Sequence, residues 1–234
     1  MIQVERNCCM AQRFEWAKVL RRFREWPVAL LVVFVLVWLA LGYAPKYRDD
    51  WVLENVLVVA FVPLLVWGYR RVRFSNLAYT AVFAFLVLHT LGSHYTYAEV
   101  PYDQWSRDWL GFSIDAALGF ERNHYDRLVH LLFGVLLAPL TLELVNLKVD
   151  ASARWRRAVA VSLLLSCSAL YELIEWAAAM VFGGELGMAY LGTQGDVWDS
   201  HKDTALALLG AVVSVLLIAA FRPRLTARRV ARAS

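Results

Sequence analysis

Apolar residues gather in six long runs separated by short stretches of charged and helix-breaking residues. The runs cover 27–44, 51–69, 74–92, 126–147, 157–182 and 203–221, and each comes near the ~20 residues that cross a bilayer as a helix. The breaks at 45–50, 70–73, 93–125, 148–157 and 183–202 hold Pro45, Pro101, seven of the twelve glycines and most of the charges outside the termini. Pro63 and Pro139 fall inside runs, which neighbouring helices tolerate in a membrane. The pattern predicts an all-α polytopic membrane protein: a six-transmembrane-helix bundle forming one domain over 27–221. It shows no repeat of 20–50 residues.

Composition agrees. Hydrophobic residues make up 60% of the chain, against about 45–50% in soluble domains, and the mean hydropathy is +0.49. The net charge of +4 does not point to nucleic acid, because the basic residues lie in short runs between the apolar ones. Their distribution predicts orientation. If the N-terminus is cytoplasmic, 18 of the 24 Lys and Arg residues fall on the inner side, a positive-inside bias that places both termini in the cytoplasm of a bacterial plasma membrane. Residues 1–26 then form a basic cytoplasmic segment, too polar and too long before the first apolar run for a secretory signal. Residues 222–234 form a basic cytoplasmic tail. Cys8, Cys9 and Cys167 have no metal or disulfide spacing.

Ionisable residues give the pattern its chemistry. Charges within spans are costly and rare without a role, yet the outer ends of several predicted spans carry them. All five histidines are among them: His89, His94, His124, His130 and His201. Asp126 and His130 are four apart on one helix face, where a carboxylate can fix an imidazole tautomer and raise its basicity. Asn123 reads as a helix cap. Glu172 and Glu175 are three apart and share a face; two such carboxylates repel unless a proton or a cation lies between them. Asp196, Asp199 and Asp203 follow the i, i+3, i+7 spacing of one helical stripe, after a glycine-rich loop. His89 and His94 diverge on a straight helix, unless Gly92 and Ser93 end it and bring His94 round. Glu54 and Asn55 also lie toward the outer side.

Four segments carry a resemblance. H-T-L-G-S-H-Y-T-Y-A-E-V-P-Y-D (89–103), R-N-H-Y-D-R-L-V-H (122–130), Y-E-L-I-E-W (171–176) and Y-L-G-T-Q-G-D-V-W-D-S-H-K-D (190–203) resemble the YjdF-type bacterial inner-membrane proteins, over roughly 27–220. The resemblance implies location and fold; the family is a domain of unknown function. A fainter likeness to VanZ-like membrane proteins rests on 126–130, on Glu172 and Glu175, and on 199–203 with Gly210 and Ala211. Arg127 stands where that family has lysine.

These observations predict a polar site opening outward from the bundle. His130, Glu172 and Asp126 are the candidate catalytic residues. His94, His124, Glu175, Asp196, Asp199 and Asp203 are candidate ligands for a divalent cation (Zn²⁺, Mg²⁺ or Mn²⁺), since oxygen-rich sets with histidine suit such ions. The expected activity is metal-assisted hydrolysis or transfer on a lipid or cell-envelope substrate. The alternative is a proton- or ion-coupled transporter, or a small-molecule binding membrane protein. There is no P-loop, nucleophile elbow or haem motif.

Overall fold

The computed structural model describes residues 25–184, 187, 191, 193–221 and the short strand at 228–229. The basic segment 1–24, with Cys8 and Cys9, lies outside the described residues, as does most of the tail. Six helices are long and apolar enough to cross a membrane. They are α1 (Glu25–Tyr43), α2 (Arg48–Tyr69), α3 (Asn76–Tyr95), α6 (Tyr125–Lys148), α7 (Ala153–Phe182) and α8 (Asp199–Phe221). Two short helices, α4 (Tyr102–Leu110) and α5 (Ile114–Leu118), lie between α3 and α6. A two-residue antiparallel pair, β1 (Val72–Arg73) with β2 (Arg228–Arg229), ties the chain beyond α8 to the α2–α3 turn.

Every predicted span is present, and most start earlier than hydropathy alone places them. The first turn of α2 holds Asp49 and Asp50, and the first turn of α8 holds Asp199. Carboxylates there meet the free N–H groups and the positive end of the helix dipole, so they extend the helix instead of ending it. Likewise Ser75 caps α3, its Oγ accepting from Ala78 N at 3.1 Å. Gly92 and Ser93 do not end α3. The helix runs to Tyr95 and stops at Thr96, in the left-handed region (φ 57°).

The bundle is built round α6, which packs on α3, α7 and most extensively on α8. The α6–α8 crossing is backbone to backbone. A Cβ on Gly134 would collide with the Ala207 carbonyl, and one on Gly210 with the Leu131 carbonyl. Small residues at such a crossing let two membrane helices approach closely. Ser214 Oγ donates to Val135 O across it at 2.9 Å. Leu137, Ala138, Leu164, Ala211 and Val215 fill the core below. The outer faces of α1, α2, α7 and α8 expose Leu, Val, Trp and Met side chains, the surface a helix presents to lipid.

Candidate functional site

At one end of the bundle, the buried interior turns polar. Asp126 on the first turn of α6 meets Asp199 and Asp203 on the first two turns of α8. A carboxylate oxygen from each lies within 4.8 Å of the others. The Gly134–Gly210 crossing sets this spacing, because it holds the two helix starts together. Asp203 is 2% exposed, and its Oδ1 has no hydrogen-bond partner among the described residues.

His130 lies one turn below Asp126. Its Nε2 is 3.6 Å from Asp126 Oδ1 and 3.6 Å from Glu172 Oε1 on α7. Tyr171 covers the imidazole edge-on, with ring centroids 6.1 Å apart. Glu172 is in side-chain contact with Ser200 and with Glu175. A Glu172–Glu175 contact requires a proton or a cation between the two carboxyls. The site thus unites three helices. The buried stripe of α7, which runs Ala160, Leu164, Ser168 and Glu175, turns both glutamates inward.

Two arginines frame the acidic group. Arg122 donates to Asp199 Oδ1 and to the Thr193 carbonyl. Arg127 donates to Asp196 Oδ2 at 2.5 Å and to Asp199 Oδ1 at 3.2 Å. Lys202 adds a further donor to Asp196 Oδ2 at 2.5 Å. The arginines do not reach Glu172 or Glu175; they bind the loop before α8 to the start of α6. Asp196 is not on the helical stripe that its spacing predicts. It sits in a turn before α8, where its Oδ1 accepts from Trp198 N at 3.0 Å. Its carboxyl is held well below the usual range, first by Lys202, then by the Trp198 N–H and Arg127.

The structure does not bring His94 or His124 to the acidic group, and their ring nitrogens are engaged locally. His94 Nδ1 donates to the Leu41 carbonyl at 2.7 Å, pinning the last turn of α1 to α3. His124 Nδ1 donates to the Arg122 carbonyl at 2.8 Å, its Nε2 accepts from Arg127 at 3.1 Å, and its ring stacks on Phe120. His89 Nε2 donates to the Glu54 carbonyl at 3.1 Å, and Nδ1 accepts from Tyr97. Asn123 is not the N-cap of α6, which is His124; one residue earlier, its Oδ1 accepts from Tyr125 N at 2.9 Å. His201 is exposed, against Trp198.

Glu54 is nearer the centre of this chemistry than its place in the sequence suggests. Tyr171 donates to its Oε2 at 2.9 Å, which links α2 to the Glu172 neighbourhood. Asp50, one turn above, is buried beside Thr96. At the opposite end, sequence reasoning passes over Glu143, which is fully buried and accepts from Ser75 N at 2.9 Å and Ser75 Oγ at 2.5 Å. A lone carboxylate deep in an apolar run was the available signal.

A bundle with apolar outer faces and ionisable groups sealed inside is the architecture of a multi-pass membrane protein. The chain belongs to the family described as predicted membrane protein (DUF2238), whose profile matches residues 26–224. It is similar to the inner membrane protein YjdF of Escherichia coli (strain K12), with 36% identity over 199 residues, 84% of this chain and 89% of that protein. No solved structure matches it.

Proposed function

We propose that this protein is a membrane-embedded hydrolase or transferase for a lipid or cell-envelope intermediate, with a divalent cation held by Asp126, Asp199 and Asp203. The observation that carries this reading is the carboxylate triad, with Asp199 and Asp203 buried, Asp126 half-buried and an unpartnered oxygen on Asp203. Six carboxyl groups converge here (Asp126, Asp196, Asp199, Asp203, Glu172 and Glu175), against only Arg122, Arg127 and Lys202. A cation offsets that imbalance. Ligand bonds of about 2.0–2.6 Å fit oxygens spaced like these, and an all-oxygen triad suits Mg²⁺ or Mn²⁺ better than Zn²⁺. Held by these three aspartates, a divalent cation would supply a water of lowered pKa and a Lewis acid for a substrate oxygen.

The chain's own groups do the rest. His130, between Asp126 and Glu172, takes a proton and returns it. The two carboxylates orient the imidazole. Glu175 sets the charge on Glu172, and the arginines hold the α8 start in register. With both termini cytoplasmic, as the Lys and Arg distribution indicates, the site opens outward. Reporter fusions after Arg73 and Arg157 then read cytoplasm and one near Ser106 reads the outside; an outside signal at Arg157 reverses the site's placement.

Metal analysis of the detergent-purified protein tests the triad. The expected result is one Mg²⁺ or Mn²⁺ per chain, lost in Asp203→Asn while the fold is retained. Wild-type protein that binds neither ion under saturating conditions overturns the reading.

One observation favours a second reading, a proton- or ion-coupled transporter. The Tyr171–Glu54 bond joins buried carboxyls of α2 to those of α7, a line such as proton relays use. Proton flux into vesicles containing metal-free protein, abolished by Glu54→Gln, would replace the first reading with this one.

A further inference from the structure

The short helices α4 and α5 are fixed more firmly than a simple connection needs. Asp103 Oδ1 accepts from Ser113 Oγ and from Asp115 N, both at 2.9 Å. Ser106 Oγ donates to the Phe112 carbonyl at 2.8 Å. Tyr102 bridges the pair to α6, donating to Asp115 Oδ1 at 2.6 Å and accepting from His124 N at 3.0 Å. Gly111 (φ 78°) closes α4 in the left-handed region, which suits a residue without a side chain.

The turn so fixed has inverted burial. Asp103 and Ser106 face inward, while Trp109 (86% exposed), Leu110 (66%) and Phe112 (50%) stand outward together beside the charged Arg107 and Asp108. In water the opposite arrangement is favoured. The same inversion marks the spans of this protein, which bury Asp50, Glu54 and Asp203 and expose Leu and Val. The turn follows directly on the end of α3 and precedes the start of α6, so it lies where spans leave the bilayer. Trp and other aromatic residues are enriched at that depth.

We propose that the rigid turn 109–112 is a lipid-docking tip, inserting Trp109, Leu110 and Phe112 into the headgroup and acyl boundary of the leaflet nearest the acidic site. Docked there, α4–α5 lies flat on the membrane beside the site mouth, as interfacial amphipathic helices do. The polar inner face stays on the protein, and Arg107, paired with Asp103, stays at headgroup level.

The test uses full-length protein with Cys8, Cys9 and Cys167 replaced by Ser, in vesicles of phosphatidylethanolamine and phosphatidylglycerol. A polarity-sensitive fluorophore is attached at Phe112→Cys, at Leu110→Cys and, as control, at Asp108→Cys. At 110 and 112 the expected emission is blue-shifted, quenched by brominated acyl chains and several-fold less quenched by aqueous iodide than at 108. Iodide quenching at 110 and 112 equal to that at 108 overturns the proposal. Protection from both quenchers also overturns it, because the tip is then covered by protein, such as a second copy of the chain.

Discussion

The two ends of the bundle bury carboxylates in opposite ways. At the α2–α3 turn, Glu143 is sealed completely, and Ser75 satisfies both of its oxygens through its N–H and hydroxyl. At the other end, Asp203 is nearly as deep, yet one of its oxygens meets no donor, and Glu172 Oε1 is in the same position apart from His130 at 3.6 Å. A buried carboxylate with a donor on each oxygen is a fastener. One left open, among like charges, is instead a net cost to the fold. Burial alone does not separate the two; completeness of hydrogen bonding does.

Five substitutions, in four tests, break or sharpen the contrast. The largest effect is expected where both ends hang from one joint. Gly134→Val drives its side chain into the α8 backbone and should cost about 3 kcal/mol or more, read as loss of folded protein in detergent. A Gly134→Val protein of wild-type stability would show that α6 and α8 are not locked. Next is Glu143→Leu, which strands two buried donors and should cost about 2–3 kcal/mol in thermal unfolding, with no change in metal content. If it instead releases metal, the division of labour between the ends fails.

Asp203→Asn and Glu172→Gln come third. Both relieve charge crowding, so stability should stay within about 1 kcal/mol of wild type or rise, while Asp203→Asn loses the cation. Destabilisation as large as that of Glu143→Leu would make these residues fasteners too. The smallest effect concerns acid. Asp196, below its ordinary 3.8, has a depressed folded pKa, so its contribution is complete above about pH 4 and disappears as the pH falls through the folded value. Limited proteolysis of the α7–α8 connection should accelerate below that point in wild type, and Asp196→Asn should be fast already at neutral pH. Equal cleavage of both proteins at pH 7 would remove Asp196 from the clamp.

Hydropathy made the spans legible because lipid and the helical backbone leave few alternatives. It misplaced their ends at Asp49, Asp50 and Asp199, where a charge read as an interruption is a helix start. Spacing on one helix brought out Asp126 with His130 and Glu172 with Glu175, since those neighbours are local. It could not show that Arg122 and Arg127 are taken by Asp196 and Asp199, some seventy residues on. Nor could it show that His94 and His124 spend their nitrogens on nearby carbonyls. Histidine type signals chemistry, but partner geometry decides it, and that is a tertiary fact. The 93–125 segment hid α4 and α5 because they are short, 9 and 5 residues, too few turns for a helical period to stand out.

The glycine crossing of α6 and α8 has a mechanical consequence. Two helices meeting backbone to backbone, with Ala207 against Gly134 and Leu131 against Gly210, cannot slide past one another without a clash. They act as one stiff plank, and the distances among Asp126, Asp199 and Asp203 are set by that stiffness. The helix that bears on the plank through side chains at the site is α7, which carries Tyr171, Glu172 and Glu175. A small tilt of α7 would change the reach of Glu172 to His130 while leaving the distances within the triad untouched, because Glu172 and the triad lie on different helices.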